Sequence, residues 1–391
     1  MNTQTKFRLV LPVIVIAQFC CTSLWFAGNG VMKQLTGAFG LAEGAVGDLT
    51  SAVQFGFLAG TLTFAVLAVA DRFSPSRVFL ASALAGALFN AAVVWSGNTP
   101  ATLLLWRALT GFCLAGIYPV GMKIAADHFA EGLGKSLGYL VGALVVGTAL
   151  PHLLSGLFAS VPWRVVVLST SALAVAGGLL LAALVPDGPY RKAGSGVKLT
   201  AFFRVFRDRD FRGAALGYFG HMWELYAFWT FVPAMLLALP AAGQLNGSLW
   251  SFGVIAAGGV ACVLGGYLSE VVGVKRTAQG ALLLSGVCCV LSPWLLTFSL
   301  TPVALVFLVF WGMVVVMDSP MFSTLVARSA PAAVKGTALT IVNCVGYAIT
   351  IVSIQLVGAL QGAVGSQYIF LVLAAGPALG LLAIRKERHN P

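Results

Sequence analysis

Twelve apolar runs, each long enough to cross a bilayer, constrain this 391-residue chain more than any single motif does. A helix needs about 20 residues to span a hydrocarbon core of ~30 Å, where the backbone must satisfy its own hydrogen bonds. The runs cover residues 7–32, 46–70, 78–95, 102–126, 136–159, 165–185, 213–239, 247–272, 278–298, 302–327, 337–360 and 368–384. The first follows Lys6 and Arg8 as the core of a signal peptide would, but it is too long and leads to no small-residue cleavage site. It reads as the first span. With 59% of residues hydrophobic, 9% charged and a mean hydropathy of +0.95, the chain is not a soluble globular domain.

A net charge of +11 would direct a soluble protein to nucleic acid. Here the cations sit in short breaks between apolar runs, where they set orientation, and no nucleic-acid partner is expected. Of the 23 Lys and Arg, Arg107 and Lys123 lie within spans, and Lys33 and Arg164 lie in connections facing the same side as one another. The remaining 19 fall on the opposite side, shared with both termini. That split places the N and C termini in the cytoplasm of a multi-pass protein of the cytoplasmic (inner) membrane. Seven cysteines, all within apolar runs, read as packing residues, with no disulfide framework, metal site or cofactor expected.

The only long polar break, 186–212, divides the chain into segments 1–185 and 213–391. It carries seven Lys or Arg against three Asp, as expected of a basic cytoplasmic hinge. Leu199, Phe202, Phe203 and Phe206 recur there at helical intervals, the pattern of a short amphipathic helix on a membrane surface. The two segments echo each other at an offset near 200 residues: Asp71 answers Glu270, Pro119 answers Pro320 and Lys135 answers Lys335. The expected fold is an all-α membrane protein of twelve transmembrane helices in two pseudo-symmetric six-helix bundles, an arrangement suited to a midplane site with alternating access.

Two motifs carry a family resemblance. After span 8 the chain reads Gly266-Tyr-Leu-Ser-Glu270-Val-Val-Gly273-Val-Lys275-Arg276. This resembles the G-x-L-[AS]-[DE]-R-x-G-R-[RK] loop of major facilitator superfamily transporters, with Val271 in place of the usual basic residue. A worn copy follows span 2: Asp71, Arg72 and Arg77 survive, but Leu67 and Ser74 stand where glycines are expected. Span 4 reads Trp106-Arg107-Ala-Leu-Thr-Gly111, similar to that family's R-x-x-x-G motif, and Trp163-Arg164 stands where many members begin span 6. The resemblance implies the family's twelve-helix fold and secondary transport, and it implies a part for Arg107 in substrate binding or proton coupling. In span 5 the Gly-Pro pattern of the family's antiporters is reduced to Gly147 and Pro151, which weakens the case for antiport.

Ionisable groups inside a bilayer are costly and usually face a cavity or a partner. Span 7 carries His221 and Glu224 at i, i+3, on one face with Phe228. Glu224 is the candidate proton carrier, His221 its relay or a donor to substrate, and Asp318 in span 10 a second titrating group or a latch. The guanidinium of Arg107 suits a carboxylate, either of a substrate or of the protein. Gln18, Thr22, Trp25 and Asn29 form a polar stripe at i, i+4, i+7 and i+11 on span 1, placed on the cavity, with Tyr118, Trp223, Tyr226, Phe228 and Asn343 as further lining candidates. Gln54, His152 and Gln355 are weaker candidates. Lys123 and Asp127, at i, i+4, read as a gate or scaffold pair.

Enzyme signatures are absent. Gly134-Lys135-Ser136 ends like a phosphate-binding loop, but Phe129 occupies the first glycine position and no strand precedes it. The expected function is secondary transport of a small organic solute, anionic in one version, coupled to protons and carried out by a monomer. Export of amphipathic compounds, inorganic-anion transport and a receptor or scaffold role are the alternatives.

Overall fold

A computed structural model describes residues 3–42, 44–129, 133–157, 162–191, 205–297, 300–331, 334–361, 363–365 and 368–384. Leu199, Phe202 and Phe203 of the expected amphipathic run lie outside these residues, as does the side chain of Lys135.

Twelve helical crossings follow the apolar runs. They are α1 (Thr3–Thr22), α2 (Ala45–Val66), α3 (Pro75–Ala92), α4 (Pro100–His128), α5 (Leu133–Leu157), α6 (Trp163–Leu184), α7 (Arg209–Leu237), α8 (Gly247–Val272), α9 (Val274–Leu296), α10 (Thr301–Ser329), α11 (Lys335–Leu360) and α12 (Ile369–Ala383). No strand forms among the described residues. Eight of the helices, α2, α4, α5, α6 and α8 to α11, are long and apolar enough to cross a membrane on their own composition. The chain is therefore an integral, multi-pass membrane protein. Helix α7 begins four residues before its apolar run because Asp208 caps it, accepting a hydrogen bond from the Phe211 amide at 2.9 Å.

Three crossings are broken. Helix α1 ends at Thr22 and continues through turns to a 3-10 turn at Asn29–Val31. Helix α4 is interrupted between Leu114 and Tyr118, and α10 at Asp318. Pro119 and Pro320 sit in the first turns of the second segments, where a missing N–H leaves no helical bond unmade. The two breaks occupy matching places in the two halves of the chain.

The packing repeats in the same way. Helix α1 packs on α5 and α6, α2 on α4, and α3 on α6; α7 packs on α11 and α12, α8 on α10, and α9 on α12. Across the halves, α2 meets α11 and α5 meets α8. Glycines fix the tightest contacts, as small residues do where helices associate in lipid. A Cβ on Gly111 of α4 would run into the Val53 carbonyl of α2, and one on Gly312 of α10 would run into the Val254 carbonyl of α8. These glycines are 201 residues apart, as are Pro119 and Pro320. Gly273 has a different reason to be glycine: it joins α8 directly to α9 with φ 92°.

Gly111→Ala and Gly312→Ala should each lower the stability of the purified protein by about 1–3 kcal/mol through overpacking. Gly253→Ala on α8, where a Cβ meets open space, should cost nothing measurable in the same thermal-unfolding series.

Candidate functional site

The crossings surround a cavity of about 1010 Å³, lined by α2, α4, α5, α7, α10 and α11. Its mouth lies at the end of the bundle that carries Asp71, Lys123, Arg328 and Lys335. The depth is aromatic and polar without charge. Tyr118, Tyr218, Tyr226, Trp229 and Tyr347 line it with Asn343. On α7, Tyr218, Met222, Leu225, Tyr226 and Trp229 recur at intervals of three and four, so one face of that helix forms a wall. The hydroxyls of Tyr226 and Tyr347 are 3.0 Å apart and join α7 to α11.

Above this chamber the break in α1 closes the bundle. Trp25 is fully buried, tilted on Phe57 with ring centroids 4.8 Å apart and stacked on Tyr226 and Tyr347 at 5.6 and 5.9 Å. Arg107 holds the strand of chain that bears it. Its Nη2 donates to the carbonyls of Leu24, at 3.1 Å, and of Trp25. Its Nη1 donates to Asn90 Oδ1 at 3.0 Å, while the Asn90 amide donates to the Val167 carbonyl and to the hydroxyls of Thr170 and Ser171. A guanidinium thus satisfies carbonyls that the end of α1 leaves without helical partners. The far end is further fastened by Gln355, which donates from α11 to Asp48 at 3.1 Å and to Ser51 at 3.0 Å on α2, and by Asn246, which donates to the Gly156 carbonyl at 3.1 Å.

The membrane acids lie behind the chamber wall. Glu224 is buried among α7, α9 and α10, accepting from Ser285 Oγ at 2.8 Å, Trp311 Nε1 at 2.7 Å and Cys289 Sγ at 3.3 Å. Phe228 packs on Trp311 at 4.7 Å beside it. His221 Nδ1 stands 2.8 Å from Asp318 Oδ1, both nearly fully buried. Glu224, His221 and Phe228 share a face of α7 as the spacing predicts; it adjoins the chamber face, with the His221 ring 6.0 Å from that of Tyr218, and its polar groups meet α9 and α10. The α1 stripe is also outside the cavity wall: Asn29 donates to Thr50 at 2.8 Å, Thr22 to the Gln18 carbonyl at 2.8 Å, and Gln18 is buried with no protein partner. Trp223 donates to the Val372 carbonyl of α12 at 3.0 Å. Among the described residues, no group of three or more His, Cys, Asp or Glu is placed to hold a metal ion.

At the mouth, Lys123 bridges Asp71 at 3.0 Å and Asp127 at 3.5 Å, joining the worn loop after α2 to the end of α4. Arg191 pins the start of the hinge to that loop through Asp187 and the carbonyls of Asp71 and Phe73. Arg72 and Arg77 are exposed beside it, and Gly266, Glu270, Gly273, Lys275 and Arg276 form the corresponding corner between α8 and α9. The positive φ of the first corner falls on Ala68, next to the Leu67 that replaces the motif glycine.

The sequence model of the Major Facilitator Superfamily matches residues 14–354. The chain belongs to this family. It is accordingly a transporter and not an enzyme. Solved structures share its fold across nearly the whole length. FucP in the outward conformation is 16% identical with a TM-score of 0.72, over 97% of this chain and 98% of that one. The human organic anion transporter MFSD10 is 17% identical with a TM-score of 0.70, over 97% and 99%. A bacterial homologue of the human lysosomal transporter Spinster, inward-facing and unoccupied, is 15% identical with a TM-score of 0.68, over 98% and 94%. No curated protein matches the sequence.

For this superfamily member the structure brings Tyr118, Tyr226, Asn343, Asp71 and Lys123 to the cavity, and it sets Arg107, Glu224, His221 and Asp318 into the helix packing around it. Tyr218, Trp229 and Tyr347 are wall residues that sequence reasoning passed over. The signal for two of them was available, since Tyr218 and Trp229 fall at −8 and +3 from Tyr226 on the same helical face.

Arg107→Lys keeps the charge but cannot reach two carbonyls and an amide oxygen at once. It should destabilise the protein by about 3–5 kcal/mol, the range for a buried ionic group that loses partners. Combined with Asn90→Ala, the loss in thermal unfolding should be non-additive, because both changes break one network.

Proposed function

We propose that the protein moves a small organic solute across the cytoplasmic membrane by alternating access, with the monomer as the working unit and protons as the coupling ion. The observation that carries this reading is the asymmetry of the cavity. It opens at the end with Lys123, Arg328 and Lys335, and is closed at the other by α1, α2 and α11. The cation-rich end is assigned to the cytoplasm by the distribution of Lys and Arg. The conformation then presents the site to the inside. Segments 1–185 and 213–391 are the two bundles that rock about the site, and 186–212 is the cytoplasmic hinge between them.

Helix α7 links solute to proton in this proposal. One face lines the chamber through Tyr218 and Tyr226; the adjoining face carries Glu224 and His221 into contact with α9 and α10. A proton arriving on Glu224 removes the charge that Ser285, Trp311 and Cys289 solvate, so it changes how α7 seats on α9 and α10. The same displacement moves the wall tyrosines. The buried His221 and Asp318 pair is a second titrating unit on the same interface. Arg107 serves the solute indirectly, by holding Trp25 over the chamber.

In proteoliposomes with an imposed pH gradient, Glu224→Gln should abolish accumulation of solute against its own gradient while retaining counterflow exchange. Undiminished uphill transport by the variant would remove Glu224 from the coupling mechanism. Wild-type accumulation driven by acid outside supports symport, and accumulation driven only by acid inside an inverted vesicle supports export of amphipathic compounds, which the aromatic lining also suits.

A further inference from the structure

The chamber carries information about the charge of what it binds. Its charged lining residues, Asp71, Lys123, Arg328 and Lys335, are all at the mouth. Lys335 and Tyr347 lie on the same helix, 12 residues apart, which at 1.5 Å per residue separates the mouth from the roof by about 18 Å. Lys123 is paired with Asp71 and Asp127. No charged group among the described residues lines the depth.

The buried charges nearby are committed elsewhere. Both terminal nitrogens of Arg107 donate to protein oxygens, Glu224 has three donors, and His221 faces Asp318. An anionic solute in the chamber would leave water without meeting a countercharge, which a low-dielectric site penalises heavily; a cationic one would meet only ring faces, whose attraction offsets part of that cost.

What the depth does offer is flat surface and neutral hydrogen bonds. Tyr218, Tyr226, Tyr347 and Trp229 present ring faces and edges. The indole of Trp229 is fully buried in the wall, and its Nε1–H has no protein partner. The Tyr226 and Tyr347 hydroxyls share one hydrogen bond, so one of the two O–H groups remains available as a donor. Aromatic walls of this kind accept another ring in offset or edge-on contact.

Resting on the transport reading above, we infer that the solute enters the chamber as an uncharged, flat ring bearing at least one hydrogen-bond acceptor, held between the α7 wall and Tyr347. The acceptor meets Trp229 Nε1–H or the free tyrosine hydroxyl. The cationic mouth is a gate and not part of the binding determinant.

The test compares matched probes on the purified full chain: tryptophol, indoleacetate and tryptamine share a ring and differ in charge, as do adenosine and its monophosphate, and glucose is neutral without an aromatic ring. Binding is read by thermal stabilisation across a concentration series. The neutral aromatic probes should bind, with the charged members of each set at least about tenfold weaker and glucose inactive. Of Trp229→Phe, Tyr226→Phe and Tyr347→Phe, which keep a ring and remove a donor, at least one should weaken neutral-probe binding by about tenfold, the equivalent of one hydrogen bond lost in a buried site, and full affinity in all three overturns the inference. Tighter binding of a charged member in either set, or no binding by any neutral ring, overturns the inference. A neutral probe that binds but shows no counterflow in proteoliposomes overturns the transport reading and leaves the binding inference standing; counterflow of only a charged member does the reverse.

Discussion

The guanidinium of Arg107 holds the end of α1, and the closed face of the molecule depends on that contact. A helix that stops inside a membrane leaves carbonyls with no water to accept from. Here Arg107 and Asn90 take up that demand, and in doing so they fix the chain at Leu24 and Trp25. The position of the Trp25 ring follows, and with it the stack on Tyr226 and Tyr347 that roofs the chamber. Arg107, expected to hold a carboxylate of a solute or of the protein, donates here to main-chain carbonyls and organises the surface that faces the chamber.

A second constraint is the division of α7 into two chemistries. Its chamber face is aromatic and neutral, whereas its buried face carries the ionisable groups and their donors from α9 and α10. With the acids outside the chamber, the proposed solute and proton sites need not share one group. In the proposed mechanism, coupling between them depends on how α7 is seated, a mechanical link through a rigid helix with two packed faces.

Much of the fold was legible in the sequence because lipid forces the choice: an apolar run of sufficient length becomes a helix. The repeat at an offset near 200 residues, with Pro119 answering Pro320, was equally visible, although the helix breaks beside these prolines were not; the close approaches at Gly111 and Gly312 give that repeat a packing reason. The face shared by His221, Glu224 and Phe228 followed from helical spacing, but spacing gives relative angle and not which neighbour a face meets. That is why the acids could be grouped but not oriented. The unwinding of α1 after Thr22 had no proline or charge to announce it, so the stripe of Gln18, Thr22, Trp25 and Asn29 was read on an unbroken helix. Tyr347 was missed because a lone tyrosine in an apolar run looks the same whether it packs or lines a cavity.

The most direct test of alternating access is distance measurement by double electron–electron resonance, with spin labels on an exposed pair at each end of the bundle. Phe73 with Lys335 reports the mouth, and Lys33 with Gln361 the closed end; the seven native cysteines are buried and out of the way. Shifting pH across the range in which carboxyl and imidazole groups titrate should shorten the first distance and lengthen the second in the same population of molecules, with the response lost in Glu224→Gln. Distances that stay fixed at both ends, or that change at one end only, would contradict the account.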